Sequence, residues 1–247
     1  YIIYIIDFYD KYPLPKKIIA NDIKGVMDIE RVLDVKIQVP IKGDIKQILN
    51  MSNVNAEISS KEKIERIRKN DIMRYESISD LKNILNLEKL ERIELFDNSH
   101  LFGTYYVGAM VVFRDFLPDR NEYRKYKIDS HTKDDLTAMK EVIYRRYQKA
   151  LMEKTEFPDL IIVDGGALQI NATLEVLDSL RLNIPVIGLK KDKSHKTSKL
   201  VLSNLTEIDT ENKNLFVYLY KMQEEVHRFA ISYHRNIKNK GMLESVL

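Results

Sequence analysis

The sequence contains no cysteine. That absence excludes a disulfide framework, a thiolate zinc site, an iron–sulfur cluster and a cysteine nucleophile, and a reducing, cytoplasmic location is the expectation. Tryptophan is absent too, which together with many Lys, Ile and Asn residues reads as a composition bias without functional weight. No long hydrophobic run is present. The most apolar opening, Tyr1 to Tyr9, is interrupted by Asp7 and falls far short of the ~20 residues that span a bilayer. It also lacks the basic start and small-residue cleavage site of an export signal, so no membrane association is expected. A marked excess of one charge is missing as well: 40 Lys and Arg against 37 Asp and Glu leave +3, which permits a nucleic-acid partner without pointing to one. What remains is 247 residues, 44% hydrophobic and 31% charged, the composition of a soluble globular chain with one large domain or two modest ones. The first residue is Tyr1 rather than methionine, which suggests a piece of something longer.

Two regions differ in texture. Residues 1–88 read as a small α/β segment: Lys17 to Ala20 and Val35 to Val39 are short β-rich runs bounded by Pro15 and Pro40. From Asp44 to about Asn70, Ile45, Ile48, Leu49, Val54, Ile58, Ile64 and Ile67 recur at helical spacing. Ser79 then reads as the N-cap of a second, short helix carrying Leu81, Ile84 and Leu85. Residues 89–247 begin with three long β-rich runs, Arg92 to Phe96, Tyr105 to Phe113 and Tyr123 to Ile128, connected closely enough for an antiparallel meander. A helix follows, with Asp134 and Asp135 at its start and Met139, Val142, Ile143, Tyr147 and Leu151 on its apolar face. Leu160 to Val163 is a continuous apolar run of the kind buried on both sides of a parallel strand, ending in Asp164, Gly165 and Gly166. A helix from about Leu168 to Leu180, a strand at Pro185 to Leu189, a lysine-rich loop, a weak strand at Leu200 to Leu202 and a helix from about Lys213 to Lys238 complete the chain.

That order resembles the ribonuclease H-like fold, an α/β architecture in which a mixed five-stranded sheet is flanked by helices and the first and fourth strands run parallel at its centre. Each of those two strands ends here in an aspartate, Asp97 and Asp164. Adjacent strands lie ~4.8 Å apart, so the two carboxylates repel each other unless a cation sits between them. Mg²⁺ or Mn²⁺ suits such oxygen ligands, Mg²⁺ binding through one or two carboxylates plus waters and phosphate oxygens. An aspartate after a strand is otherwise a turn or cap residue. In the last helix Leu215, Leu219, Met222, Val226, Phe229 and Tyr233 make the core face, with Gln223, His227 and His234 on the adjacent stripe. His227 is therefore either a boundary histidine or an imidazole offered to the metal site, as a third ligand or as base for the attacking water.

Several blocks together resemble the carboxyl-terminal endonuclease half of the UvrC subunit of bacterial nucleotide excision repair. They are Leu95-Phe96-Asp97-Asn98-Ser99-His100, Met110-Val111-Val112-Phe113, Glu122-Tyr123-Arg124-Lys125-Tyr126, and Asp134-Asp135 followed by Arg145-Arg146-Tyr147. Further along come Pro158 to Gly166 with Gln169, Gly188 to Thr197, Glu225 to Ile231, and His234-Arg235. The resemblance implies a metal-dependent endonuclease, with Mg²⁺ or Mn²⁺, that hydrolyses one strand of damaged double-stranded DNA on the 5′ side of a lesion, as part of the response to DNA damage. It implies a catalytic and metal-binding set of Asp97, Asp164 and His227, and a further carboxylate at Asp135 that is equally readable as a helix cap. It also implies a UvrB-type partner engaged through regions outside this chain. In places the chain departs from the family pattern. Ala167 and Leu168 stand where a lysine and a glycine are usual, Asn98 and Glu224 replace an isoleucine and an aspartate, and the helix-hairpin-helix pair is missing.

Basic residues offer candidate DNA contacts. Lys190, Lys191, Lys193, His195 and Lys196 form a run after a strand whose end should lie near Asp164; they contact phosphate or are a solvated loop. Arg124, Arg228 and Arg235 are further candidates. In Tyr123-Arg124-Lys125-Tyr126 the tyrosines either stack on DNA or pack on one sheet face by strand alternation. Gly165-Gly166 before a helix could cradle a phosphate but lacks P-loop spacing. The rival readings are a non-catalytic ribonuclease H-like scaffold for DNA or protein binding and a hydrolase or transferase for a small phosphorylated substrate.

Overall fold

The computed structural model describes residues 2–21, 26–101, 105–128, 134–191, 197–209 and 212–244, leaving out the side chains of 2, 26, 27, 99–101, 105, 106, 191, 197, 198 and 233–244. Two compact units emerge, Tyr1–Lys69 and Asn70–Leu247, divided within a helix. The first unit holds α1 (Ile2–Lys11), β1 (Lys17–Ile19), α2 (Val26–Leu33) and β2 (Lys36–Gln38), followed by the start of α3 (Asp44–Ile84). Strands β1 and β2 pair in parallel, as a crossover through α2 requires, and Ile29, Val35 and Ile37 are buried.

Helix α3 is one unbroken element of 41 residues, so the short second helix expected from Ser79 does not exist. No Gly or Pro lies between Asp44 and Ile84 to break it. Ser77 is satisfied within the helix, its hydroxyl donating to the Met73 carbonyl at 2.8 Å, and Leu81 is fully buried. The helix stops at Asn86, whose φ of 50° is the left-handed conformation that ends helices, and Leu87 N–H returns to the Lys82 carbonyl at 3.0 Å.

The second unit contains β3 (Arg92–Leu101), β4 (Tyr105–Arg114), β5 (Leu117–Pro118), a 3₁₀ turn (Arg120–Glu122), β6 (Arg124–Lys127), α4 (Asp135–Glu153), β7 (Leu160–Asp164), α5 (Ala167–Ser179), β8 (Val186–Lys191), β9 (Thr197–Val201), β10 (Glu207–Ile208) and α6 (Lys213–Glu244). The five expected strands occupy the sheet centre in the order β6-β4-β3-β7-β8, the ribonuclease H-like arrangement, with β3, β7 and β8 parallel. The sheet is wider than five strands. Eight are described, because β9 and β10 extend it beyond β8 and the two-residue β5 pairs with the end of β4. The lysine-rich stretch is correspondingly not all loop: Lys190 and Lys191 finish β8 and Lys199 lies in β9.

Strand alternation assigns the two faces. Ile93, Leu95, Leu160 and Ile162 pack with Leu215, Leu219, Met222 and Val226 of α6. Phe96, Ile161 and Val163 pack on the other side with Met139, Val142, Ile143 and Tyr147 of α4 and Ile170 of α5. Leu151, expected on the core face of α4, is exposed, and Ala150 is buried in its place.

The α4 face also contains charges. Arg92 and Glu94 are buried at the start of β3, and Glu94 accepts from Arg92, from Arg146 at 2.6 Å and from Tyr147 Oη at 3.0 Å. A cavity of about 380 Å³ beside them, lined among others by Arg92, Arg146, Glu122 and Glu156, belongs to this ion cluster. Removing one member would leave its partner's charge buried and uncompensated. Glu122 shows the pH consequence. Its carboxyl is lowered from the ordinary 4.5 to about 2, first by the hydrogen bond from Arg92, against the opposing cost of desolvation, with Arg114 adding to the shift. A depressed carboxylate contributes stability above its unfolded value, and that contribution disappears as pH falls from 4.5 towards about 2. In urea unfolding, Glu122→Gln is expected to be about 1–2 kcal/mol less stable at pH 7 after allowance for solvent screening. The difference should shrink below pH 4.5 and be gone only once the pH has fallen to about 2.

Candidate active site

Phe96 of β3 pairs with Val163 of β7, so Asp97 and Asp164, the next residues on two neighbouring parallel strands, lie side by side. Asp164 closes β7, but Asp97 is not the end of its strand as expected, because β3 runs on to Leu101 paired with β4. Both lie on the α6 face, two residues beyond Leu95 and Ile162 of the core packed against that helix. Asp97 is buried, its side chain 10% exposed, whereas Asp164 is half-buried.

Helix α6 passes over this pair and meets each carboxylate with one residue. His227 Nδ1 stands 3.5 Å from Asp97 Oδ2, the imidazole half exposed at 50%. One turn earlier, buried Gln223 donates from Nε2 to Asp164 Oδ1 at 2.6 Å. Leu219, Met222, Val226 and Ala230 are buried in the α6 core and fix the rotation of the helix, which turns the Gln223–His227 stripe toward the strand ends. The packing of apolar residues thus positions polar ones. His227 was legible from that stripe; Gln223 was visible on it, but nothing in an isolated glutamine indicates that it will hold a carboxylate.

Asp135 is placed differently. Asp134 is the N-cap of α4, accepting from Thr137 N at 2.7 Å and Oγ1 at 2.8 Å, and the Thr137 amide bond holds its carboxyl below the ordinary range. Asp135 begins the helix with an exposed side chain, while its backbone carbonyl accepts from Asn98 Nδ2 at 3.2 Å. Asn98 follows Asp97 in β3 and points to the α4 face, so it ties β3 to the start of α4. The Gly165-Gly166 turn has a structural occupation: Gly166 N donates to Gln169 Oε1 at 3.1 Å, and a Cβ at Gly165, φ +154°, would run into that same Gln169 side chain. Gly188 has a similar reason, since a Cβ there would meet the Gly165 carbonyl at 2.4 Å.

The described basic candidates, Lys190, Arg124 and Arg228, are each engaged elsewhere in the chain. Lys190 Nζ donates to Glu207 at 2.7 Å, and Lys199 shares the same carboxylate at 2.6 Å. Arg228 is taken by Glu225, at 2.6 and 3.0 Å, a carboxylate that also accepts from Tyr123 Oη at 3.1 Å. Arg124 caps the carbonyls of Asn121 and Tyr123. The side chains of Lys191 and Arg235, and residues Lys193, His195 and Lys196, lie outside the described residues. The two tyrosines do not share a sheet face. Tyr123 is buried edge-on to Phe229 of α6, and Tyr126 lies on the α4 side beneath Arg145, because their separation of three residues reverses the strand face.

Among the described residues no three His, Asp or Glu side chains form a cluster that could hold a metal by themselves. The donors nevertheless fit a hard divalent ion. Two carboxylates on one face, one of them nine-tenths buried, are the protein share that Mg²⁺ or Mn²⁺ takes when waters and phosphate oxygens complete the shell.

The sequence model of one family, described as the UvrC RNAse H endonuclease domain, matches residues 82–231. The chain belongs to that family. It is 38% identical over 253 residues to the UvrABC system protein C of Streptococcus uberis (strain ATCC BAA-854 / 0140J), and equally so to that of Streptococcus agalactiae serotype Ia. Each alignment takes in 100% of this chain and 43% of the relative, so the chain spans less than half the length of these proteins. Among solved structures, Ciona intestinalis endonuclease V in complex with a 24mer DNA containing an inosine followed by a ribo-adenosine is similar over 54% of this chain and 60% of its own, with 16% identity and a TM-score of 0.33. Among the described residues no helix is long and apolar enough to cross a membrane.

Proposed function

We propose that the chain carries a divalent-metal-dependent DNA endonuclease that hydrolyses a phosphodiester on the 5′ side of a lesion during nucleotide excision repair. The observation that supports this most directly is the pairing of Asp97 with Asp164 on adjacent parallel strands, in a chain of the UvrC endonuclease family. Residues 89–247 form the catalytic domain of this reading, and a UvrB-type protein is its partner in the cytoplasm. Asp97 and Asp164 would hold Mg²⁺ or Mn²⁺, which when bound supplies Lewis-acid stabilisation of the phosphorane-like charge and a more acidic water.

The chain's own groups divide the remaining work. Asp97 is buried with its Oδ2 3.5 Å from His227 Nδ1, near enough that a small approach would let the imidazole donate there and turn Nε2 toward the attacking water, whose proton it would take. Asp97 thereby orients the base as well as supplying charge. Gln223 adds a donor without adding charge, leaving the site's attraction for a cation intact. Asp135 is either a further carboxylate of the site or a residue that starts α4, its backbone carbonyl tied to Asn98 of β3. DNA grip from the basic run would be sequence-indifferent phosphate contact, with Lys190 first released from Glu207.

The test is an incision assay on a duplex carrying one defined lesion, with repair partners and Mn²⁺ supplied. A single nick 5′ of the lesion that disappears on chelation is the expected result. Binding of the duplex without any nick would favour the scaffold reading.

A further inference from the structure

A helix packed across a sheet face ordinarily covers it with apolar side chains. Here α6 instead places two polar residues one turn apart, each against a different carboxylate: His227 at Asp97 and Gln223 at Asp164. Gln223 is 1% exposed, and burying an amide costs free energy unless its groups are engaged. A carboxylate oxygen can only accept, so the amide meets Asp164 through Nε2, at the short distance of 2.6 Å that charge-assisted hydrogen bonds adopt.

Fixing Oδ1 has a geometric result. An aspartate side chain at a strand end can rotate about its last bond, and a bond to one oxygen selects the direction of the other. The neutral donor does this while preserving the double negative charge; a lysine or arginine would neutralise part of it, and a glutamate would add repulsion. We propose that Gln223 is a positioning residue that sets the rotation of the Asp164 carboxylate and so tunes the site's affinity for a divalent cation, an inference that rests on the metal site proposed above. Partners of metal-ligating carboxylates typically change metal affinity by ~10–100-fold when removed.

Gln223→Met keeps the volume and removes the donor. Titration of the 247-residue chain with Mn²⁺ alone, followed by calorimetry, should show affinity weakened by about tenfold or more relative to wild type, with the metal-free melting temperature little changed. Gln223→Glu provides a second reading. Its carboxylate faces Asp164 directly, so the metal-free melting temperature should fall and added Mn²⁺ should raise it by more than in wild type. Wild-type Mn²⁺ affinity in Gln223→Met would overturn the proposal and leave the metal site standing. If Gln223→Met does not fold, a melting temperature of Gln223→Glu that Mn²⁺ does not raise overturns it. Failure of the wild-type chain to bind Mn²⁺ overturns both this inference and the metal site beneath it.

Discussion

Replacing Asp97 by Asn is expected to reduce strand incision by about 10³-fold or more, because the substitution keeps the shape and removes the buried charge that would hold the cation. Folding should survive. The Asp97 side chain is 10% exposed, and a buried carboxylate is itself costly to desolvate, so the neutral amide should leave the melting temperature equal or slightly higher. Asp164→Asn should lose incision in the same way, since the β3–β7 register places the two carboxylates as equals. The comparison is made on a lesion-bearing duplex with repair partners present. An Asp97→Asn protein that nicks at the wild-type rate would remove the metal assignment.

The second large effect belongs to His227. As the group that takes the water's proton, it should contribute about 10²–10⁴-fold to the rate. His227→Ala should therefore cut incision by that factor while Mn²⁺ affinity stays close to wild type, and the acidic limb of the pH–rate profile should vanish with it. A third-ligand role predicts the opposite division, with metal affinity weakened. The distance of 3.5 Å from Nδ1 to Asp97 Oδ2 suits either role, so the division between rate and metal affinity decides between them. If the variant retains rate and affinity at every pH, His227 has no part in the reaction.

Much of this arrangement can be read from residues alone, and the reason is local. Alternating or continuous apolar runs place β3, β4, β7 and β8, and an aspartate closing each of two such runs marks the site. What cannot be read is non-local. Glu207 occupies Lys190 from 17 residues away, which turns an apparently free phosphate contact into a paired side chain. The burial of Arg92 and Glu94 depends on Arg146, 52 residues beyond Glu94, so a strand that starts with two charges looks half-exposed until α4 is in place. The Ser79 break fails for a different reason. Serine is favoured at N-caps, but Ser77 can bond back to Met73 and Leu81 has a core to enter, so packing overrides the local preference.

Gln223 shows the same limit at the site itself. Periodicity places it beside His227, yet only the register of β7 under α6 makes it the partner of Asp164.

The central claim is that Asp97 and Asp164 together hold a divalent ion. Crystals of the chain soaked in Mn²⁺ test it through anomalous scattering. The account predicts a peak beside the Asp97 and Asp164 carboxylates on the α6 face; no peak there, in crystals where Mn²⁺ is bound elsewhere on the chain, would contradict it.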